Sequence, residues 1–144
     1  MGLFTAIDAA GSGMTAERLR LDVISNNIAN ANTTRTAEGG PYRRQIVIFQ
    51  PRSTNASFGE LLTGLTEPGT GVRVVGIIKD QSPFRLVYDP SHPDANRDGY
   101  VAMPNVNIVA EMVDMMTASR AYEANVAAIN AAKSMAMRAI DIGK

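Results

Sequence analysis

Two long stretches of the chain place apolar residues at alternating steps of three and four. Residues 3–31 follow this period, and residues 105–142 follow it again. Such steps put the side chains on one seam of an α-helix, as in a coiled coil. The pattern predicts an N-terminal helix with seam residues Leu3, Ile7, Met14, Leu21, Ile24 and Ile28. It predicts a longer C-terminal helix with seam residues Ile108, Met112, Met115, Tyr122, Val126, Ile129 and Ile140.

Local signals mark the ends of these helices. Asn105 or Asn107 is suited to cap the second helix after Pro104, and Gly143 to end it. Gly11 and Gly13 each cost about 1 kcal/mol relative to Ala in a helix interior. We therefore expect the first turns of the N-terminal helix to form a separate or bent piece.

The middle of the chain has a different pattern. All seven prolines lie between residues 41 and 104, and the stretches YRRQIVIFQ, VRVVGIIKD and FRLVYD are rich in β-branched and aromatic residues. These features predict three short strands between turns, a β element too small to be stable alone. The fold class is therefore α+β, with a helical segment 1–34, a small β-rich insert 35–104 and a helical segment 105–144.

The insert is too small to cover two long apolar seams. One interpretation is that the helices pair as a coiled-coil-like hairpin and complete their core against other molecules, as in an assembly protein. The alternative is a self-contained α+β domain whose helices pack on its own sheet. The C-terminal helix has small or apolar residues on all sides, which is typical of a helix buried all round and favours assembly.

Composition narrows the function. The 14 basic and 14 acidic residues balance, and no charge run exceeds two residues, so no nucleic-acid-binding patch is expected. The chain has no Cys, which excludes thiolate catalysis and Cys-ligated metals. Its start lacks a basic leader and Asp8 interrupts the apolar run, so we expect no cleaved signal peptide. No stretch approaches the ~20 apolar residues of a membrane span.

Two features could carry chemistry. His92 is the single histidine and lies in a Pro-rich turn, where a solvated role is expected. Asp94, Asn96, Asp98 and Gly99 match the start of a calcium loop, but position twelve is Asn105 where a bidentate Glu is needed. A tight turn with positive φ at Gly99 is the favoured interpretation. We predict no enzyme, cofactor or metal; a calcium-binding module using this loop is the alternative.

Several motifs resemble a known family. LDVISNNIANANTTR is similar to the Asn-rich N-terminal signature of bacterial flagellar rod and hook proteins, the axial proteins of the flagellum. MVDMMTASRAYEANVAAINAAKSMAMRAIDIG resembles their C-terminal helix. The middle of the chain and its short total length resemble the proximal-rod members. The resemblance covers essentially the whole chain.

The resemblance implies a structural role. Such proteins are exported through the flagellar export apparatus without a cleaved signal peptide and assemble helically in the periplasm around an export channel. It implies contacts with further copies, other proximal-rod proteins, the adapter to the membrane ring and distal-rod proteins.

The asparagines near the end of the first helix need an explanation, because Asn is a poor helix former. We expect Asn26, Asn27, Asn30 and Asn32 to satisfy exposed backbone groups and to bond across helices. Amides give directional contacts without charge. The alternative is that these residues merely cap and fray the helix end.

Overall fold

The computed structural model describes residues 2–52 and 71–143, apart from the side chain of Leu3, a predicted seam residue. Helix α1 spans Leu3–Ala29 and helix α2 spans Ile108–Ile142. The described residues between them form four strands: β1 Gln45–Pro51, β2 Val72–Lys79, β3 Arg85–Tyr88 and β4 Tyr100–Met103. The α+β class with two long terminal helices is confirmed, as are the three predicted strands; β4 was not predicted.

The strands form two separate pairs. Strand β1 pairs with β2, and backbone hydrogen bonds from Arg52 N to Gly71 O and from Asp80 N to Arg44 O flank that pair. Strand β3 pairs antiparallel with β4, with Arg85 opposite Met103 and Tyr88 opposite Tyr100. Within the described ranges, neither helix is long and apolar enough to cross a membrane.

Helix α1 runs without interruption from Leu3 to Ala29, so the prediction of a separate first piece is wrong, while a bend near Gly11 and Gly13 stays a prediction. Gly13 lies in the interior of the helix at a point where the side chain of Asn125 packs closely against its backbone. A methyl group there would lie 2.8 Å from Asn125 Nδ2 on α2. The helix tolerates the glycine because packing against a neighbour outweighs a loss of intrinsic propensity.

The chain folds as two compact units. The first draws on the described parts of Met1–Leu19, Ile48–Gly76 and Ala118–Lys144. Its buried side chains are small: Ala10, Ala16, Ala118 and Ala132. Ser12 joins α1 to β2, since its hydroxyl accepts a hydrogen bond from Val72 N at 3.0 Å and donates to Ala9 O.

The second unit comprises Arg20–Val47 and Ile77–Thr117. Its buried apolar residues are Val23, Ile24, Ala31, Val101, Pro104 and Val106, and two polar residues, Asn27 and Glu111, are buried with them. Asn107 caps α2, as predicted for this position or Asn105: its Oδ1 accepts from Val109 N at 3.0 Å and from Ala110 N at 3.3 Å. The division by chain order into 1–34, 35–104 and 105–144 stays a prediction.

Candidate assembly surface and its buried polar support

Asn27 occupies an interior position on α1. Val23, Ile24 and Ala31 are buried one turn away from it, and the Asn27 side chain is itself about 1% exposed. A buried amide is costly unless its polar atoms find partners. The surroundings of Asn27 therefore decide whether this residue is tolerated.

The Asn27 amide is fully hydrogen-bonded. Its Nδ2 donates to Gln45 O and to Glu111 Oε2, both at 2.9 Å. Its Oδ1 accepts from Tyr42 Oη at 3.0 Å and from Gln45 N at 2.9 Å. A primary amide has two donors and two acceptor lone pairs, so all of its capacity is used. One side chain thus ties the end of α1 to the start of β1 and to α2.

Glu111 is the acidic member of the same group and is fully buried. Its second oxygen, Oε1, accepts from Arg44 Nε at 2.5 Å. Arg44 also reaches Asp114 Oδ2 at 3.3 Å and Asp80 Oδ2 at 3.7 Å. A buried carboxylate persists only when it is paired and hydrogen-bonded, and Glu111 is both. We call Asn27, Tyr42, Arg44 and Glu111 the Asn27 cluster.

A further layer of polar contacts holds the chain around Arg44. Asn105 Oδ1 accepts from Arg44 N at 2.8 Å, and Asn105 Nδ2 donates to the carbonyls of Asp80 and Ser82. Arg43 Nη1 donates to the same two carbonyls, and its guanidinium lies 4.2 Å from the ring centre of Phe84. These contacts fix the backbone that presents Arg44 to Glu111.

The titration of these groups reflects the buried setting. Burial raises the pKa of the Tyr42 hydroxyl, and the negative charge of Glu111 raises it further. Burial alone would lower the pKa of Arg44, but its hydrogen bond to Glu111 and the nearby carboxylates raise the pKa overall. Hydrogen bonds from Ser82 lower the pKa of Asp80. The cluster thus favours a neutral Tyr42 and a charged Arg44.

The opposite side of α2 in the second unit is apolar and exposed. Val109 is 71% exposed, Met112 52%, Val113 50% and Met116 55%. Their spacing of three, four and seven places them on one face of the helix. We call these four residues the outer face. A continuous exposed apolar face is typical of a site that contacts another molecule.

The predicted seam residues divide by exposure. Ile24 is buried, and Ile108, Met112 and Ile140 are exposed. The half-buried members are Ile7, Met14, Leu21, Ile28, Met115, Tyr122, Val126 and Ile129. Ile7 and Ile129 line an open groove of about 720 Å³ in the first unit, together with Leu19, Val72 and Val74.

The four asparagines also differ. Asn26 and Asn32 are exposed, whereas Asn30 is half-buried and makes local contacts. Asn30 Nδ2 donates to Asn26 O at 2.9 Å, and its Oδ1 accepts from Thr33 at 3.2 Å. Among these four, the described contacts across helices belong to Asn27.

The 94–99 loop forms a hydrogen-bonded turn. Asp94 accepts from Thr34 at 2.8 Å and from Arg35 at 2.7 Å, so both carboxylate oxygens are engaged. Asn96 Oδ1 accepts from the backbone of Asp98 and Tyr100, and Gly99 has the expected positive φ of 81°. Within residues 2–52 and 71–143, no three His, Asp or Glu side chains group as metal ligands.

Sequence reasoning did not single out Tyr42, Arg44 or Glu111. Glu111 is an isolated acid in the first turn of a helix, where it is usually solvated and favourable to the helix dipole. A signal did exist, because Glu111 precedes Met115 and Ala118 by four and seven residues and so shares their inward phase. Its partner Arg44 is 67 residues away in sequence, beyond the reach of periodicity.

Comparison with known families matches both helical ends of the chain. Residues 7–35 match the family described as flagella basal body rod protein. Residues 97–142 match the family described as flagellar basal body rod FlgEFG protein C-terminal. Asn27 lies in the first match and Glu111 in the second. Both ends of the chain are therefore typical of flagellar basal-body rod proteins.

Several curated relatives match over the full length. The flagellar basal-body rod protein FlgC of Borreliella burgdorferi is 55% identical over 149 residues, covering 99% of this chain and 98% of its own. The FlgC proteins of Bacillus subtilis and of Escherichia coli O6:H1 are 47% and 44% identical, each with full coverage of both chains. The chain therefore belongs to the FlgC family, structural proteins of the flagellar basal-body rod.

Proposed function

We propose that this chain is a subunit of the proximal rod, assembling helically with itself and with other axial proteins to form the drive shaft and export channel. The full-length similarity to FlgC proteins supports a rod role. The observation that carries the assembly step is the outer face, whose four apolar side chains are at least half exposed in the single chain. Burying such a face against a neighbour is the main favourable term in most protein association.

The two terminal helices pair in this proposal as a coiled-coil-like hairpin. Contacts between α1 and α2 within each unit support it: the close approach of Gly13 to Asn125 in the first, and the Asn27–Glu111 hydrogen bond in the second. The predicted seam residues and the four asparagines would then contribute to helix packing and to contacts between subunits.

The proposal extends to partners and location. The neighbours would be further copies, other proximal-rod proteins, the adapter to the membrane ring and distal-rod proteins. The subunit would reach the periplasm through the flagellar export apparatus without a cleaved signal peptide. Its role would be structural and not catalytic. The similarity to rod proteins supports each of these points. Head-to-tail contacts that do not close would generate the helical filament.

A charge on the outer face tests the assembly step. Met116→Glu places a carboxylate in the face, while Thr117→Glu places the same side chain one residue further along, at an exposed polar position. Each variant replaces the natural protein in motile cells. Soft-agar swimming and the amount of subunit in isolated basal bodies are then measured.

We expect Met116→Glu to abolish incorporation and swimming, because the charge would be buried without a partner. Thr117→Glu should retain both. The purified variants should have equal melting temperatures, since neither side chain is buried in the free chain. Normal incorporation of a stably folded Met116→Glu protein would contradict the proposal.

A further inference from the structure

Helix α2 has apolar or small residues on opposite sides. On the inner side, Ala118 is fully buried and Met115 is half-buried; on the outer face, Val113 and Met116 are half exposed. Burial of apolar area is not directional. Turning the helix about its axis would exchange one apolar surface for another, so the hydrophobic effect alone does not select which side faces inward.

Glu111 breaks this symmetry. A helix turns by about 100° per residue, so Val109 and Val113, each two positions from Glu111, lie about 160° around the axis from it. Glu111 is fully buried, whereas those valines are 71% and 50% exposed. When the carboxylate points inward, the outer face must therefore point outward.

The partners of Glu111 are also held by residues outside α2, although Arg44 makes a further ion pair with Asp114 of α2. Asn27 is held by Tyr42 and by both backbone groups of Gln45, and Arg44 is held through its backbone by Asn105. Two directional donors from two other segments thus meet the two oxygens of one carboxylate. Buried polar groups are best attested in proteins as devices that fix register.

From these contacts we infer that the Asn27 cluster sets the rotation of α2 about its axis and thereby presents the outer face to neighbouring subunits. Asn27, Arg44 and Glu111 are then positioning residues for assembly. Only this consequence for assembly rests on the proposed function, and the orientation of α2 can be measured without it.

The absence of Cys from the chain allows a direct assay. Met116→Cys and Ala118→Cys are made separately, and the labelling rate of each thiol by a maleimide is measured on the free, full-length subunit. The natural exposures are 55% at Met116 and 0% at Ala118. The thiol at 118 should react on the order of tenfold or more slowly, because it must await local opening.

The test variant is Arg44→Met/Glu111→Leu, which replaces the charged pair by apolar side chains and leaves Asn27 its bonds to Tyr42 and Gln45. Removing both members of a buried ion pair is often tolerated by a fold. The matched control is Arg120→Met/Glu123→Leu, the same replacements at exposed positions of α2. We expect the difference between the two labelling rates to collapse in the test variant and to persist in the control, at unchanged helicity.

An undiminished difference in a folded test variant would overturn the inference, and so would equal labelling of the two thiols in the otherwise unchanged chain. If the double variant loses its helicity, Glu111→Gln decides, since it keeps the size but puts an NH₂ donor in place of one of the two oxygens that accept from Asn27 and Arg44. A reduced difference there supports the inference and an unchanged one overturns it. If the two labelling rates become equal in the test variant while it still incorporates normally into rods, the cluster sets the orientation of α2 but this orientation is not needed for assembly.

Discussion

The two sides of α2 invert the usual arrangement of a folded chain. On the inner side, Glu111 is among the largest fully buried side chains in the described residues and accepts a hydrogen bond from Asn27 of α1, whereas Val109, Met112 and Met116 on the outer face are more than half exposed. A soluble protein that acts alone would bury the valine and methionines and leave the carboxylate in water. Here the polar side serves the subunit's own fold, and the apolar side is left for a partner.

The contrast separates two kinds of requirement on one helix. Both carboxylate oxygens of Glu111 have a partner inside the chain, so the inner side of α2 tolerates little change. The outer face has no comparable set of directional contacts among the described residues. Stability and assembly should therefore respond to different substitutions, and the following variants test that separation.

The largest expected effect is at Glu111. Glu111→Ala would leave Asn27 Nδ2 and Arg44 Nε facing an uncharged cavity. Removing one partner of a buried ion pair costs about 3–5 kcal/mol. Urea denaturation should show this loss in the free energy of unfolding, whereas exposed Glu123→Ala should stay within about 0.5 kcal/mol. A loss below about 1 kcal/mol at Glu111 would show that the cluster contributes little.

A smaller effect is expected at Tyr42. Tyr42→Phe removes one donor to Asn27 Oδ1, which keeps its bond from Gln45 N, and should cost about 1 kcal/mol. The raised pKa of Tyr42 adds a pH dependence. Its contribution is fully present below the ordinary pKa of 10.0 and is lost as pH rises through the higher folded-state pKa.

The alkaline loss of stability should therefore diminish in Tyr42→Phe. It should persist in Tyr88→Phe, whose ring lies exposed on β3. Thermal melting of the three proteins between neutral pH and pH values above 10.0 measures this difference. Identical profiles for all three would argue against a half-buried, hydrogen-bonded Tyr42.

The smallest effect on stability is expected on the outer face. Met112→Gln makes an exposed side chain polar without changing its length or helix propensity greatly. The free energy of unfolding should change by less than about 0.5 kcal/mol. A loss above about 1 kcal/mol would mean that Met112 packs within its own chain. The outer face would then contribute to the fold of the subunit, contrary to the separation described above.

Local pattern predicted the elements whose signal lies in consecutive residues. The two helices followed from the three-and-four spacing, Asn107 from its place before α2, and β1 to β3 from β-branched runs. Strand β4, Tyr100–Met103, is as short as β3 but lies between the turn at Gly99 and Pro104, so it lacks a longer run such as FRLVYD, which marked β3. The close packing of Gly13 against Asn125 joins residues more than a hundred positions apart in sequence, so local propensity could not predict it.

The candidate site could be predicted from the sequence only in part, for the same reason. The Asn-rich stretch drew attention to four amides, but the burial of Asn27 is decided by Tyr42, Gln45 and Glu111 together. Nothing in the sequence distinguishes Asn27 from Asn26 until α1 is given its phase, with Val23, Ile24 and Ala31 inside. Arg44 and Glu111 are joined by a contact that no local period encodes.

The saturated amide of Asn27 also has a mechanical consequence. An apolar contact between two helices keeps much of its attraction when one surface slides a short distance along the other. Hydrogen bonds weaken steeply once their distance and angle change. Glu111 of α2 accepts hydrogen bonds from Asn27 and from Arg44, and these two bonds act side by side, so a shearing load on α2 must strain them together. In a rod subunit, these hydrogen bonds would resist gradual sliding of α2 under load better than the apolar surfaces around them.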